Sequence, residues 1–295
     1  MSMTTLLQRV LRWPSPESGL IALSVALLAW PTLQMLASSV WTNEEQSHGP
    51  LVIAASLLLM AHRRHALSAL PSPATRWPGW GVLACAMPLL AFARSQGFAT
   101  VEVAALILAG CGILIAFKGR AGLRECAFAL SFLLFAVPWP ETLVVALTQP
   151  LKSAVSAVSE ALLHAAGYPV GRAGVMLAVG PYEILVADAC AGLNSMFVLE
   201  AITVLYIRLF GSDDRVCSVG LAILAIPIAF LANVLRVIVL VLLLVHLGDE
   251  AARGFVHGFA GVLLMSVALV LTFAAHALMR ALRRRWRAIK SPETA

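Results

Sequence analysis

Apolar residues along this chain come in solid blocks separated by short polar punctuation, with no sustained helical or strand alternation. A helix needs about 20 mostly apolar residues to cross the hydrocarbon core of a bilayer. Read with that length, the blocks predict about eight spans, near 20–38, 49–61, 78–93, 99–117, 124–138, 191–210, 216–246 and 256–279. The second, third and fifth are short. Between 139 and 190 the blocks dissolve into mixed sequence. The first part, ETLVVALTQPLKSAVSAVSEALLHAAG, interleaves apolar residues with Lys152, Ser153, Ser156, Ser159 and Glu160 and predicts a helix lying in the membrane interface. The second, GVMLAVGPYEILVADAC, has two β-rich runs about Gly180-Pro181 and predicts a hairpin. The fold class expected is an all-α polytopic membrane protein of about eight transmembrane helices, with an outer interfacial helix and a small outer β-hairpin before the sixth.

Composition agrees. Of 295 residues 60% are hydrophobic and 12% charged, and the mean hydropathy of +0.89 lies outside the range of soluble domains. The excess of 21 Lys and Arg over 15 Asp and Glu would suit an acidic partner in a soluble protein; here it reports orientation and gives no sign of nucleic acid. A cytoplasmic N-terminus puts on the inner side Arg9, Arg12, Arg63, Arg64, Arg76, Lys118, Arg120, Arg124, Arg208, Arg215 and the tail RALRRRWRAIK. Only Arg94, Lys152, Arg172 and Arg253 fall outside, and Arg236 lies within a span. Both termini are therefore expected in the cytoplasm and 139–190 on the outer face. The first span, preceded by Arg9 and Arg12 and followed by LASS, has the layout of a signal peptide, but its length favours a retained anchor. The organisation expected is one integral domain over 1–295: a five-helix half (1–138), the outer segment (139–190), a three-helix half (191–279) and a basic tail (280–295). No internal repeat is present.

Five cysteines without paired spacing argue against a disulfide framework and against a zinc or dithiol site. Cys85, Cys111, Cys126 and Cys217 lie inside apolar runs and are expected as small core residues. Cys190 differs: within EILVADACAGLNSM it stands at the outer head of the sixth span. Arg236 lies roughly ten residues, about 15 Å, below the outer end of the seventh. A charge there costs at least about 2.5 to 3.5 kcal/mol. Asn233 shares its face, and His257, in GFVHGFAG, opens the eighth span. Acyl transfer needs a nucleophile with a lowered pKa, a proton shuttle for the leaving amine and a donor to the oxyanion. Cys190, His257 and Arg236 supply those types at one membrane depth. By residues alone this leaves a thiol peptidase or acyltransferase level with a transporter that has a polar cavity. No cofactor or metal is implied.

Those residues carry a resemblance. ADACAGLNS is similar to the E/D-A-C-S-G-x-x-S segment of the exosortase and archaeosortase family, ANVLRV to its A-N-x-x-R-I segment and HGFAG to its H-x-x-x-G segment. SHGPLVIAASLLLMAHRR resembles the family's S-H-G-x-L-V helix and following basic turn. Ala191 stands where serine is usual and Asn194 where arginine is common. The resemblance implies a bacterial inner-membrane endopeptidase of the sorting kind. Such enzymes act on membrane-anchored proteins with a C-terminal signal of the PEP-CTERM type, pass the new carboxyl end to a further acceptor, and accompany exopolysaccharide production. It implies Cys190 as nucleophile, His257 as general acid/base and Arg236 as thiolate activator or oxyanion donor, the last two roles being exchangeable. Asn233 and His48 become supporting residues, and Asp188 and Glu183 either orient His257, meet substrate or are solvated hairpin charges. Membrane lipids complete the partners. The competing readings are a flippase or transporter of an anionic lipid-linked substrate and a noncatalytic partner of polysaccharide export.

Overall fold

The computed structural model describes residues 16–42, 46, 48–185, 193–210, 215–258 and 260–290. The chain is mostly helical. Among the described residues are nine α-helices: α1 (Pro16–Met35), α2 (Gly49–His62), α3 (Arg64–Ala69), α4 (Trp77–Gln96), α5 (Ala99–Phe132), α6 (Glu141–Ala165), α7 (Leu193–Phe210), α8 (Arg215–Gly258) and α9 (Ala260–Lys290). Strands β1 (Val170–Ala173), β2 (Met176–Val179) and β3 (Tyr182–Leu185) form one small sheet. Among the described residues, four helical stretches are long and apolar enough to cross a membrane: Gly19–Val40, Ala99–Ala136, Cys217–Gly248 and Ser266–Arg283. Gly49–His62 is apolar but shorter. The chain divides into two compact units, Met1–Asn43 with Gly49–Pro138, and Glu44–His48 with Trp139–Ala295.

In the first unit, the fourth predicted span and the first nine residues of the fifth fall within α5, which doubles back. Gly119, at φ 64° and ψ −164°, leaves the helical region for one that glycine enters without steric cost. The Thr100 hydroxyl donates to the Pro138 carbonyl, whereas a straight helix would hold those residues about 55 Å apart. Small residues let α4 and α5 approach closely. A Cβ on Gly79 would overlap the Ala116 backbone, and one on Gly112 would come within 2.9 Å of the Leu83 side chain. Near the reversal Lys118 donates to the Leu70 carbonyl (3.1 Å), Arg63 pairs with Glu125 (3.5 Å) and Arg76 lies over the Phe117 ring.

Elsewhere in that unit, Glu102 is buried and accepts from Thr32 Oγ1 (2.6 Å) and Arg94 Nε (2.9 Å). Arg94 Nη2 also donates to Thr32 and to the Leu28 carbonyl. A carboxylate among apolar helices is tolerable only with such partners. Arg94, expected as an outer-loop charge, is thus in the last turn of α4 and holds α1, α4 and α5 together. The cysteines correct another expectation: Cys126 and Cys217 are buried, but Cys85 is exposed and Cys111 partly so. A lipid-facing helix gains little by burying its apolar side chains, so an apolar block alone does not mark a core position.

The second unit is built around α8, against which α6, α7 and α9 pack. Ile228, Ala229 and Ala232 meet Leu199 of α7 and Ala268 of α9, and Tyr206 of α7 shares a hydrogen bond with Nδ1 of His276 of α9 (2.9 Å). On another side Val234, Val237 and Val241 meet Val155 and Leu163 of α6 with Val170, Leu177 and Val179 of the sheet. The sheet is an antiparallel meander, with Val170 opposite Val179 and Val179 opposite Tyr182. Strands β2 and β3 are the predicted hairpin, turning at Gly180 (φ 58°). The third strand, β1, was not expected and turns into β2 at Gly174 (φ 65°). Alternation on β2 puts Leu177 and Val179 inside. On α6, Ser156 and Ser159 are fully buried, while Leu143, Val145, Leu147, Val158 and Leu162 are exposed. That distribution suits a helix whose outer side meets lipid.

Candidate functional site

The motif residues divide between described and undescribed chain. Cys190 and Asp188 lie outside the described residues. His257 falls in the last turn of α8, beyond the non-helical Gly248 (φ 82°, ψ 178°), and α9 begins only at Ala260. It therefore does not open the eighth helix as expected, because the break at Gly248 adds a helical segment between the two predicted spans. His48 is half-buried and belongs, with Glu44–His48, to the second unit, although the chain on either side of that stretch falls in the first. Glu183 is an exposed residue of β3, opposite Ala178.

Asn233 and Arg236 sit together on α8. Asn233 is 1% exposed; its Nδ2 donates to the Ala229 carbonyl (3.0 Å), while its Oδ1 has no hydrogen-bond partner among the described residues. Leaving a buried amide oxygen unsatisfied costs about 1 to 3 kcal/mol, so the position is poorly explained by packing alone. Arg236 is half-buried one turn further on. By helical register Asn233 falls between the two packed faces of α8, with Ala229 and Ala232 on one side and Val234 and Val237 on the other, and Arg236 continues the face of Ala229 and Ala232.

Two contacts bracket this pair. Tyr182 and Ile184 of β3 pack on Leu240 and Leu244, one to two turns beyond Arg236. Leu199 of α7 packs on Ile228, Ala229 and Ala232, just before Asn233. In sequence, the chain between Ile184 and Leu199 carries Cys190.

Some polar residues were not read from sequence as candidates for the site. Ser156 and Ser159 present hydroxyls with no partner among the described residues on the buried side of α6. The signal was faint: their spacing from Val155 and Leu163 puts them on one helical face, but serine in a mixed helix reads as solvated. His246 and Tyr168, which meet edge to face with ring centroids 5.9 Å apart, belong to no motif. Among the described residues no group of three His, Cys, Asp or Glu side chains is placed to hold a metal.

Apolar spanning helices and polar residues gathered on a central helix define a multi-pass membrane protein. More particularly, the chain belongs to the family described as transmembrane exosortase (Exosortase_EpsH), which it matches over residues 40–274. That range takes in Cys190, Asn233, Arg236 and His257. No curated protein and no solved structure gives a match.

Proposed function

We propose that this exosortase-family chain is a membrane cysteine endopeptidase and transpeptidase, cleaving C-terminal sorting signals of the PEP-CTERM type at the outer face of the cytoplasmic membrane. It acts as one integral domain over 1–295, with about eight spans and both termini in the cytoplasm. The Cys190 thiolate attacks the carbonyl of the scissile peptide bond. Arg236 stabilises first the thiolate and then the oxyanion. His257 delivers a proton to the departing amine, leaving a thioester on Cys190. An amine or water then attacks the thioester, gives up a proton and releases the thiolate. Proline in the target disfavours helix, so the scissile bond is presented unwound.

The observation that carries this reading is the bracketing of Asn233 and Arg236. β3 packs on α8 beyond the pair and Leu199 of α7 packs on α8 just before it, and the sequence that joins these two elements carries Cys190, which supports a thiol working beside the guanidinium. A headgroup transporter would need open donors along a polar path, and in the first unit Thr32, Arg94 and Glu102 engage one another.

Co-expression of a signal-bearing reporter with wild type and with Cys190→Ala tests the proposal in intact cells. Wild type should shorten the reporter, and the alanine variant should accumulate in the membrane without doing so. Equal processing by both would end the thiol mechanism.

A further inference from the structure

Tyr168, Val239, Leu242, Leu243, His246 and Leu247 line an open cavity of about 330 Å³ beside the turns of α8 that precede Gly248. Four of the six side chains are aliphatic. The two rings meet edge to face, and Nδ1 of His246 is 2.9 Å from the Leu242 carbonyl. A carbonyl only accepts, so Nδ1 carries a proton, and in the Nδ1–H tautomer Nε2 is an acceptor on an exposed side chain. Register ties the cavity to the polar pair. Val239, Leu243, His246 and Leu247 follow Arg236 at i+3, i+7, i+10 and i+11, all on one helical face, and α8 stays regular as far as Gly248. The cavity thus covers the turns roughly 5 to 16 Å beyond Arg236 along the axis.

The geometry points to a substrate subsite: this cavity receives an apolar side chain of an extended peptide, on the amino-terminal side of the bond being cut. The inference rests on the function proposed above. In that reading the target's own transmembrane helix follows the scissile bond, so the residues before it lead outward, in the direction from Arg236 to His246. An extended chain advances about 3.3 Å per residue, so those turns of α8 lie beside the second to fifth residues upstream. An open cavity of this size takes one or two side chains. His246 favours a peptide over a lipid tail: its exposed ring can accept a hydrogen bond at Nε2 from a main-chain N–H, and an acyl chain offers no donor.

The test uses the full chain in membranes. The wild-type cleavage point is first mapped on the released product. Leu243→Cys is then combined with Cys190→Ala, which holds substrate uncut, and with alanine at the other four cysteines, and reporters with a single cysteine at each of the eight positions before the cleavage point are cross-linked with a short bismaleimide. Cross-linking should concentrate at one or two positions within the second to fifth, with the adjacent position weak because successive side chains of an extended chain point to opposite sides. With Cys190 intact, Leu243→Trp should raise KM about tenfold with kcat little changed. His246→Phe, which keeps a ring and removes the acceptor, should raise KM about fivefold. No cross-link at any position, uniform cross-linking at all of them, or an unchanged KM in Leu243→Trp overturns the subsite. If wild type cleaves the reporter while one of those results is found, only the subsite fails; if wild type does not cleave it, the proposed function fails and the subsite with it.

Discussion

Arg236 and Asn233 form a guanidinium and a buried amide one turn apart, in a helix otherwise apolar for most of its length. If the arginine serves by its planar fork as well as by charge, Arg236→Lys should slow processing about 10² to 10³-fold, the usual effect of losing one oxyanion donor. Full activity in the lysine variant would reduce the requirement to charge. Asn233 separates function from packing in a different way. Leucine has similar volume and removes the unsatisfied Oδ1, so Asn233→Leu should be at least as thermostable as wild type in detergent yet process reporter at least about tenfold more slowly. A variant both stable and active would make the asparagine a packing residue. These two positions were legible in the sequence because polar atoms in an apolar block must be explained. His246 was not, since a histidine at the end of a span reads as an interfacial residue until the cavity beside it is seen.

Among the helices, the α4–α5 contact gives the sharpest test. A Cβ on Gly79 would meet the Ala116 backbone, which cannot swing aside, whereas one on Gly81 would meet nothing within 4 Å. Gly79→Ala should therefore lower the thermal midpoint of the purified protein by several degrees. Gly81→Ala should leave it unchanged or raise it slightly, since alanine is the better helix former. Equal midpoints would mean that α4 and α5 do not approach as described. Element existence was largely readable from the apolar blocks, and so was the reversal near Lys118, where basic residues interrupt them. Strand β1 escaped because Gly171, Arg172 and Gly174 dilute the β-rich signal, and its pairing with β2 is a tertiary fact. The inward turn of Ser156 and Ser159 escaped for a related reason: in lipid the exposed face of a helix is the apolar one, so a soluble-protein rule assigns the wrong side.

At the scale of the whole chain, sequence carried the family and the distribution of basic residues, but not the ion pair inside the first unit. Glu102→Ala removes the acceptor shared by Thr32 and Arg94. Breaking a fully buried pair costs about 3 to 5 kcal/mol; Arg94 is one-third exposed, so a smaller loss, of about 1 to 3 kcal/mol, is expected from equilibrium unfolding. Glu102→Gln, which keeps an oxygen acceptor, should recover part of it. Stability equal to wild type in both variants would show that the network holds nothing together.

The central claim is an activated thiol at the outer face, coupled to Arg236. It is tested most directly in a chain whose only cysteine is Cys190, with the other four replaced by alanine, by adding a membrane-impermeant maleimide to intact spheroplasts over a range of pH. Labelling should occur without permeabilisation and persist well below pH 8.5, about where an ordinary thiol is half ionised. Arg236→Ala should move the profile upward by removing the cation that favours the thiolate. Label that appears only after permeabilisation would contradict the orientation, and an outside label with an ordinary, Arg236-independent profile would contradict the activated nucleophile.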